Sequence, residues 1–203
     1  MAGPINFYND LITAKSWQTL QSLKKQVDFV LIGGWAVWLY TKSLKSKDID
    51  IIVNYDQLEK LKRAYLLTKN DRLTKYEARN EEVQIDVYLP HYSQLGIPAE
   101  EIIKHVTLRE TFSLPTVEML IVLKLFVYKQ RHLSAKGQKD RLDLLSLLIT
   151  TKINFPVLEQ LLKTAHLENL KTDLHQIISQ TAAIPELGIT NHSWSRMKKT
   201  FRT

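Results

Sequence analysis

Asp48 and Asp50 stand one residue apart in the run Lys47-Asp48-Ile49-Asp50-Ile51-Ile52-Val53. The run reads as a strand, and residues i and i+2 of a strand project from the same face. The two carboxylates therefore point together while Ile49 and Ile51 face the other way. Side by side they repel, and burying them without a counter-charge is costly. A divalent cation removes that cost, and Mg²⁺ favours oxygen ligands of this kind. A third acid follows in Val83-Gln84-Ile85-Asp86-Val87-Tyr88, where apolar residues alternate with Gln84, Asp86 and Tyr88. Asp86 is thus placed on the polar face of a half-buried strand. If that strand lies beside the first, the three carboxylates form a cluster able to hold two metal ions ~3.5–4 Å apart and clamp an in-line phosphoryl displacement. The alternative is an Asp-x-Asp pair at an exposed strand edge.

Upstream, Leu31-Ile32-Gly33-Gly34-Trp35-Ala36 reads as strand, double glycine and helix start. Glycine lets backbone approach a ligand closely, and a helix N-terminus offers unpaired N–H groups to phosphate. A tight turn alone would also account for the pair. No Gly-Lys-Ser/Thr follows, which excludes a Walker loop, and no third glycine completes a dinucleotide fingerprint. Further on, Lys124 interrupts an otherwise apolar helical stretch, Leu120 to Val127, and shares a face with Tyr128 and Arg131. A buried ammonium requires an anionic partner. A triphosphate is one candidate, and Asp140 or Asp143 on the next helix is the other. The six histidines show no ligand spacing, and the absence of cysteine excludes disulfide, zinc–thiolate and iron–sulfur sites.

The elements that must position these groups follow from periodicity and punctuation. Helical patterns cover 6–26, 35–40 and 55–67, and strands are expected at 29–32, 48–53, 72–77 and 82–89. After Pro98 come a short helix near 99–104 and one irregular or strand segment leading to Pro115. Helices follow at about 116–132, 138–150, 155–164 and 168–181. Strands dominate the first ninety residues and helices the rest, the mark of an α+β fold with a helical C-terminal bundle. The expected division is a head over 1–97 and a helical domain with a basic tail over 98–203, with the boundary somewhere in 97–115.

The 203-residue chain is long enough for a sizeable core, and 44% hydrophobic with 24% charged residues excludes a disordered or collagenous chain. Its net charge of +7 suggests a polyanionic partner. The excess is concentrated: 124–141 carries six basic residues against Asp140 alone, and the tail adds Arg196, Lys198, Lys199 and Arg202. The first twenty residues lack the apolar core of a signal peptide, and no stretch is apolar and long enough to span a bilayer. A cytoplasmic protein with no membrane association is expected.

Taken together, Gly33-Gly34, Asp48-Ile49-Asp50 and Asp86 resemble the nucleotidyltransferase superfamily, whose fold is shared by DNA polymerase beta and antibiotic nucleotidyltransferases. Lys124, Arg131 and Lys139-Asp140-x-x-Asp143-Leu144 look like the helical segment of the branch that includes the toxin nucleotidyltransferases of abortive-infection toxin–antitoxin systems. The resemblance covers residues 28–150. It implies a small mixed sheet with flanking helices, and transfer of a nucleoside monophosphate from a nucleoside triphosphate to a hydroxyl of tRNA or protein. It also implies Mg²⁺, two ions, on the catalytic residues Asp48, Asp50 and Asp86, with Asp86 accepting the acceptor's proton. Gly33, Gly34, Lys47, Lys124 and Arg131 would bind the nucleotide. Many members carry Arg four residues before the first Asp; here that position is Leu44, so Lys45 or Lys47 would supply the charge. An antitoxin partner is expected for the toxin branch. An antibiotic-modifying enzyme is the alternative within the same chemistry. A non-catalytic nucleotide- or RNA-binding module is the alternative from another class, and the intact set of three acids argues against it.

Overall fold

The computed structural model describes residues 7–201. In chain order it contains α1 (Asp10–Lys24), β1 (Val30–Ile32), α2 (Gly33–Thr41), β2 (Ile49–Ile52), α3 (Tyr55–Ala64), β3 (Thr68–Asn70), β4 (Lys75–Asn80) and β5 (Val83–Tyr88). Then come α4 (Ala99–Ile102), β6 (Val106–Arg109), β7 (Phe112–Pro115), α5 (Val117–Arg131), α6 (Ala135–Thr150), α7 (Phe155–Thr164), α8 (Leu170–Gln180) and α9 (Asn191–Met197). Arg202, counted above in the basic tail, lies outside the described residues.

One mixed sheet of seven strands runs in the order β3-β4-β5-β2-β1-β7-β6. Its centre is made of the short apolar strands, because each buries both faces. β2 pairs antiparallel with β1 and parallel with β5, and β1 also pairs parallel with β7. The parallel β2–β5 pairing brings together strands that α3 and the β3–β4 hairpin separate in sequence. The fold is thus the expected α+β arrangement, a mixed sheet followed by helices.

The sheet does not end at residue 97. β6 and β7, from 106–115, form one edge, so the sheet-forming part of the chain runs to Pro115. Residues 72–77 were expected as one strand; instead β4 starts at Lys75, after a turn that closes a hairpin with β3. α9 lies beyond the last helix expected from periodicity, at 168–181.

Helices α5 and α6 pack on each other and on α2, and α7 and α8 pack behind α5. Local chemistry fixes the α5–α6 corner. The Ser134 hydroxyl accepts from the Gly137 N–H at 3.0 Å, an N-cap of the kind that contributes about 1 kcal/mol. A Cβ at Gly137 would collide with the Arg131 carbonyl, so the close return of α6 requires glycine there. This corner aims Lys136, Lys139, Asp140 and Asp143, spaced at helical intervals, at the sheet's polar face. Among the described residues no helix is long and apolar enough to cross a membrane.

Candidate active site

A cleft of about 470 Å³ lies between the sheet and helices α5 and α6. Its lining includes Gly33, Gly34, Asp48, Asp50 and Asp86 from the sheet side, and Lys124, Arg131, Lys136, Lys139, Asp140 and Asp143 from the helices. Seven of the eight site residues singled out in the sequence are therefore brought to one cavity. The exception is Lys47, which is absent from the lining and holds its ammonium over the Tyr8 ring, 5.4 Å from the centroid.

Register explains the meeting of the acids. Asp50 on β2 is the direct partner of Asp86 on β5, and it also faces Ile32, the residue before the double glycine, across β1–β2. Asp48 sits just ahead of β2 on the same face. Gly33 takes the left-handed φ of +69° that favours glycine, and a Cβ there would overlap Asp50 Oδ2. Gly34 is similarly confined: its Cβ would stand 2.7 Å from Ser46 Oγ. Among the described residues no side chain caps α2, and Gly33 and Gly34 of its first turn line the cleft.

The three carboxylates have different surroundings. Asp48 is half-buried and pairs with the exposed Lys136 at 3.3 Å. Asp86 is buried, with Lys75 Nζ 2.6 Å from Oδ2 and Gln84 Nε2 donating to Oδ1 at 2.9 Å. Asp50 has neither a hydrogen bond nor an ion pair to its carboxylate among the described residues. Burial pushes its carboxyl up to about 7, with Asp86 adding to the rise and Lys124 opposing it. Burial likewise lifts the Tyr8 hydroxyl to about 12, helped by Asp48 and Asp143, and lifts Tyr88 well above its usual range beside Asp50 and Asp86. No group of three or more His, Asp or Glu side chains among the described residues converges as a ready set of ligands for one ion. Asp48 is turned to Lys136 and Asp86 to Lys75.

On the helical side, Lys124 lies 2.9 Å from Asp140 and 2.7 Å from Asp143. Burial alone would weaken the charge on Lys124, but Asp143 and Asp140 outweigh it and hold its pKa above the ordinary value. Lys139 pairs with Asp143, yet burial, with Lys124 nearby, draws its pKa down. Arg131 closes the network on Asp140 at 2.7 Å. Of the two partners that the sequence left open for Lys124, the fold supplies the aspartates. The basic stretch 124–141 is largely balanced in the same way, since Lys129 pairs with Asp173 and Lys136 with Asp48. Its acid partners lie outside the counted window or on other elements.

Sequence reasoning missed Lys75, Gln84, Lys136 and Tyr8 as parts of the site. Gln84 could have been found, because it shares the strand face of Asp86 two residues on. Lys75 depends on the β4–β5 register, and Tyr8 on where the chain before α1 runs; neither carries a local signal.

A family described as "Nucleotidyltransferase of unknown function (DUF6036)" matches residues 11–202. The chain belongs to this family. No curated protein matches the sequence. Among solved structures, JHP933 from Helicobacter pylori aligns with a TM-score of 0.51 at 16% identity, over 94% of this chain and 90% of that one. An antigenic nucleotidyltransferase-like protein from Paracoccidioides brasiliensis aligns with a TM-score of 0.48 at 16% identity, over 89% of this chain and 97% of that one. The first of these supports the fold alone. The nucleotidyltransferase kind rests on the family match, which takes in Gly33, Gly34 and all three acids.

Proposed function

We propose that this protein transfers a nucleoside monophosphate from a nucleoside triphosphate to an acceptor hydroxyl and releases pyrophosphate, with Mg²⁺ as cofactor. The observation that carries the reading is Asp50. Its carboxylate is packed against Gly33 in the cleft and has no ion-pair or hydrogen-bond partner among the described residues, while both neighbouring acids have a lysine in contact. A carboxylate in that position is strongly stabilised by a cation. Asp48 and Asp50, oxygen donors on one strand face, fit Mg²⁺. Held by these two carboxylates, Mg²⁺ would supply positive charge to offset that of the triphosphate.

The chain's own groups divide the remaining work. The uncapped first turn of α2 presents Gly33 and Gly34 to the phosphates. Lys136, whose side chain is 52% exposed, can swing from Asp48 onto a triphosphate at little cost, because exposed pairs are weak, whereas Arg131 lines the cleft while held on the buried Asp140. Lys124 and Lys139 stay fixed between Asp140 and Asp143 and contribute a steady positive field. Asp86, the register partner of Asp50, takes the proton of the acceptor hydroxyl. The acceptor is a hydroxyl of tRNA or of a protein, a toxin-like role that rests on the resemblance of Gly33 through Asp143 to that branch.

Incubation with triphosphates labelled in turn at the α and γ phosphorus, with Mg²⁺ and either total tRNA or cell protein, tests this. The α label should pass to one acceptor and the γ label should leave as pyrophosphate. Transfer of the γ label, or of neither label from any of the four common triphosphates, would overturn the reading.

A further inference from the structure

We infer that Lys75 is a built-in counter-charge for Asp86, and that the site accordingly takes one divalent cation, on Asp48 and Asp50. This deepens the function proposed above and rests on it. Both oxygens of Asp86 are already engaged by protein groups, Oδ2 by Lys75 at 2.6 Å and Oδ1 by Gln84 at 2.9 Å. The ammonium is itself clamped, because Glu77 also reaches it at 2.9 Å and Asn70 holds Glu77 at 3.1 Å. Lys75 is only 6% exposed. Burial works against its charge, yet the bonds to Asp86 and Glu77 outweigh that and keep its pKa raised.

The register makes this a feature of the sheet. Asp86 pairs directly with Glu77 across β4–β5, and Lys75, two residues before Glu77, meets Asp86 on the diagonal of the same face. A second Mg²⁺ would require oxygens at ~2.0–2.1 Å. To take Asp86 it must expel a buried ammonium from between two carboxylates and then remain beside it, and like charges in a cleft repel strongly. Among the described residues no ammonium is in ion-pair or hydrogen-bond contact with the Asp50 carboxylate. The asymmetry divides the three acids into a pair open to a metal and a third whose orientation is set by Lys75. Lys75 is thus a positioning residue for Asp86, and it supplies one positive charge where a two-metal site would hold two.

Electron paramagnetic resonance of Mn²⁺ counts the ions directly, without turnover. The protein would be titrated at pH 8 with Mn²⁺ and each of the four α,β-methylene nucleoside triphosphates. Wild type should bind about one Mn²⁺ per bound nucleotide with an uncoupled signal. Lys75→Met should admit about two, whose short separation produces an exchange-coupled spectrum, and Lys75→Arg should return to about one. Two coupled ions in wild type, or an unchanged count in Lys75→Met, would overturn the inference while leaving nucleotidyl transfer standing. Absence of Mn²⁺ and nucleotide binding in wild type would overturn both. If Lys75→Met does not fold, the wild-type count alone decides.

Discussion

The Asp50 carboxylate occupies the space that a side chain at position 33 would need. The turn and the acid are therefore one device: Gly33, at φ +69°, lets β1 end against Asp50, and Asp50 faces the first turn of the helix that follows. Gly33→Ala should displace the carboxylate and strain the turn, since a left-handed alanine costs roughly 1–2 kcal/mol before any overlap. The expected result is a melting temperature lower by about 2–8 °C, together with loss of Mg²⁺-dependent nucleotide binding by calorimetry. An alanine variant that binds nucleotide normally would show that this contact is incidental.

Asp50 also predicts a pH dependence. Its carboxyl is raised from 3.8 to about 7, so between those values the folded state binds more protons than the unfolded state. Stability then falls as pH rises through that window and stays low above it. Asp50→Asn should accordingly melt higher than wild type at pH 8, with the gap narrowing towards pH 4. Mg²⁺ should raise the melting temperature of wild type and leave that of the variant unchanged. A variant less stable than wild type at pH 8 would mean that the carboxylate has a counter-charge in the apo protein.

The buried network between α5 and α6 makes a different prediction. Lys124 lies between Asp140 and Asp143, all three nearly inaccessible. Removing one member of such a pair leaves an uncompensated buried charge and costs about 3–5 kcal/mol. Urea unfolding of Lys124→Met should register a loss of that size. A loss below about 1 kcal/mol would show that Lys139 and Arg131 suffice to neutralise both aspartates.

Lys136 should behave oppositely. Its ion pair with Asp48 is exposed, so Lys136→Ala should leave stability within about 0.5 kcal/mol of wild type. Affinity for a triphosphate should drop by up to about fivefold, and less at high salt. Unchanged affinity at low salt would remove Lys136 from the phosphate site.

What could be read in the sequence followed from short-range periodicity. Asp48 and Asp50 share a face because the strand period is two, and Asp86 is set opposite Val83, Ile85 and Val87 by the same rule. The glycine pair marked the turn at which α2 begins. What escaped depended on contacts between distant segments. That β5 lies beside β2 is a crossover past α3 and the β3–β4 hairpin, and only this makes Asp86 the register partner of Asp50. Lys75 reads locally as one more surface lysine; antiparallel pairing buries it against Asp86. The four-residue strands β6 and β7 carry too little alternation, and β6 is exposed throughout. The basic stretch 124–141 looked like a face for a polyanion because Asp48, Asp143 and Asp173 lie outside it in sequence and beside it in space.

The role of Asp50 is tested most directly by comparing wild type with Asp50→Asn for Mg²⁺-dependent transfer of α-phosphate label from a triphosphate to its acceptor. Circular dichroism would confirm that both are folded. Wild type should transfer label. The variant should be slower by roughly 10²–10³-fold or more, the equivalent of losing several kcal/mol of charge stabilisation in the transition state. Equal rates for the two proteins, or no transfer by wild type with any of the four triphosphates, would contradict the assignment of this cleft as a nucleotidyltransferase site.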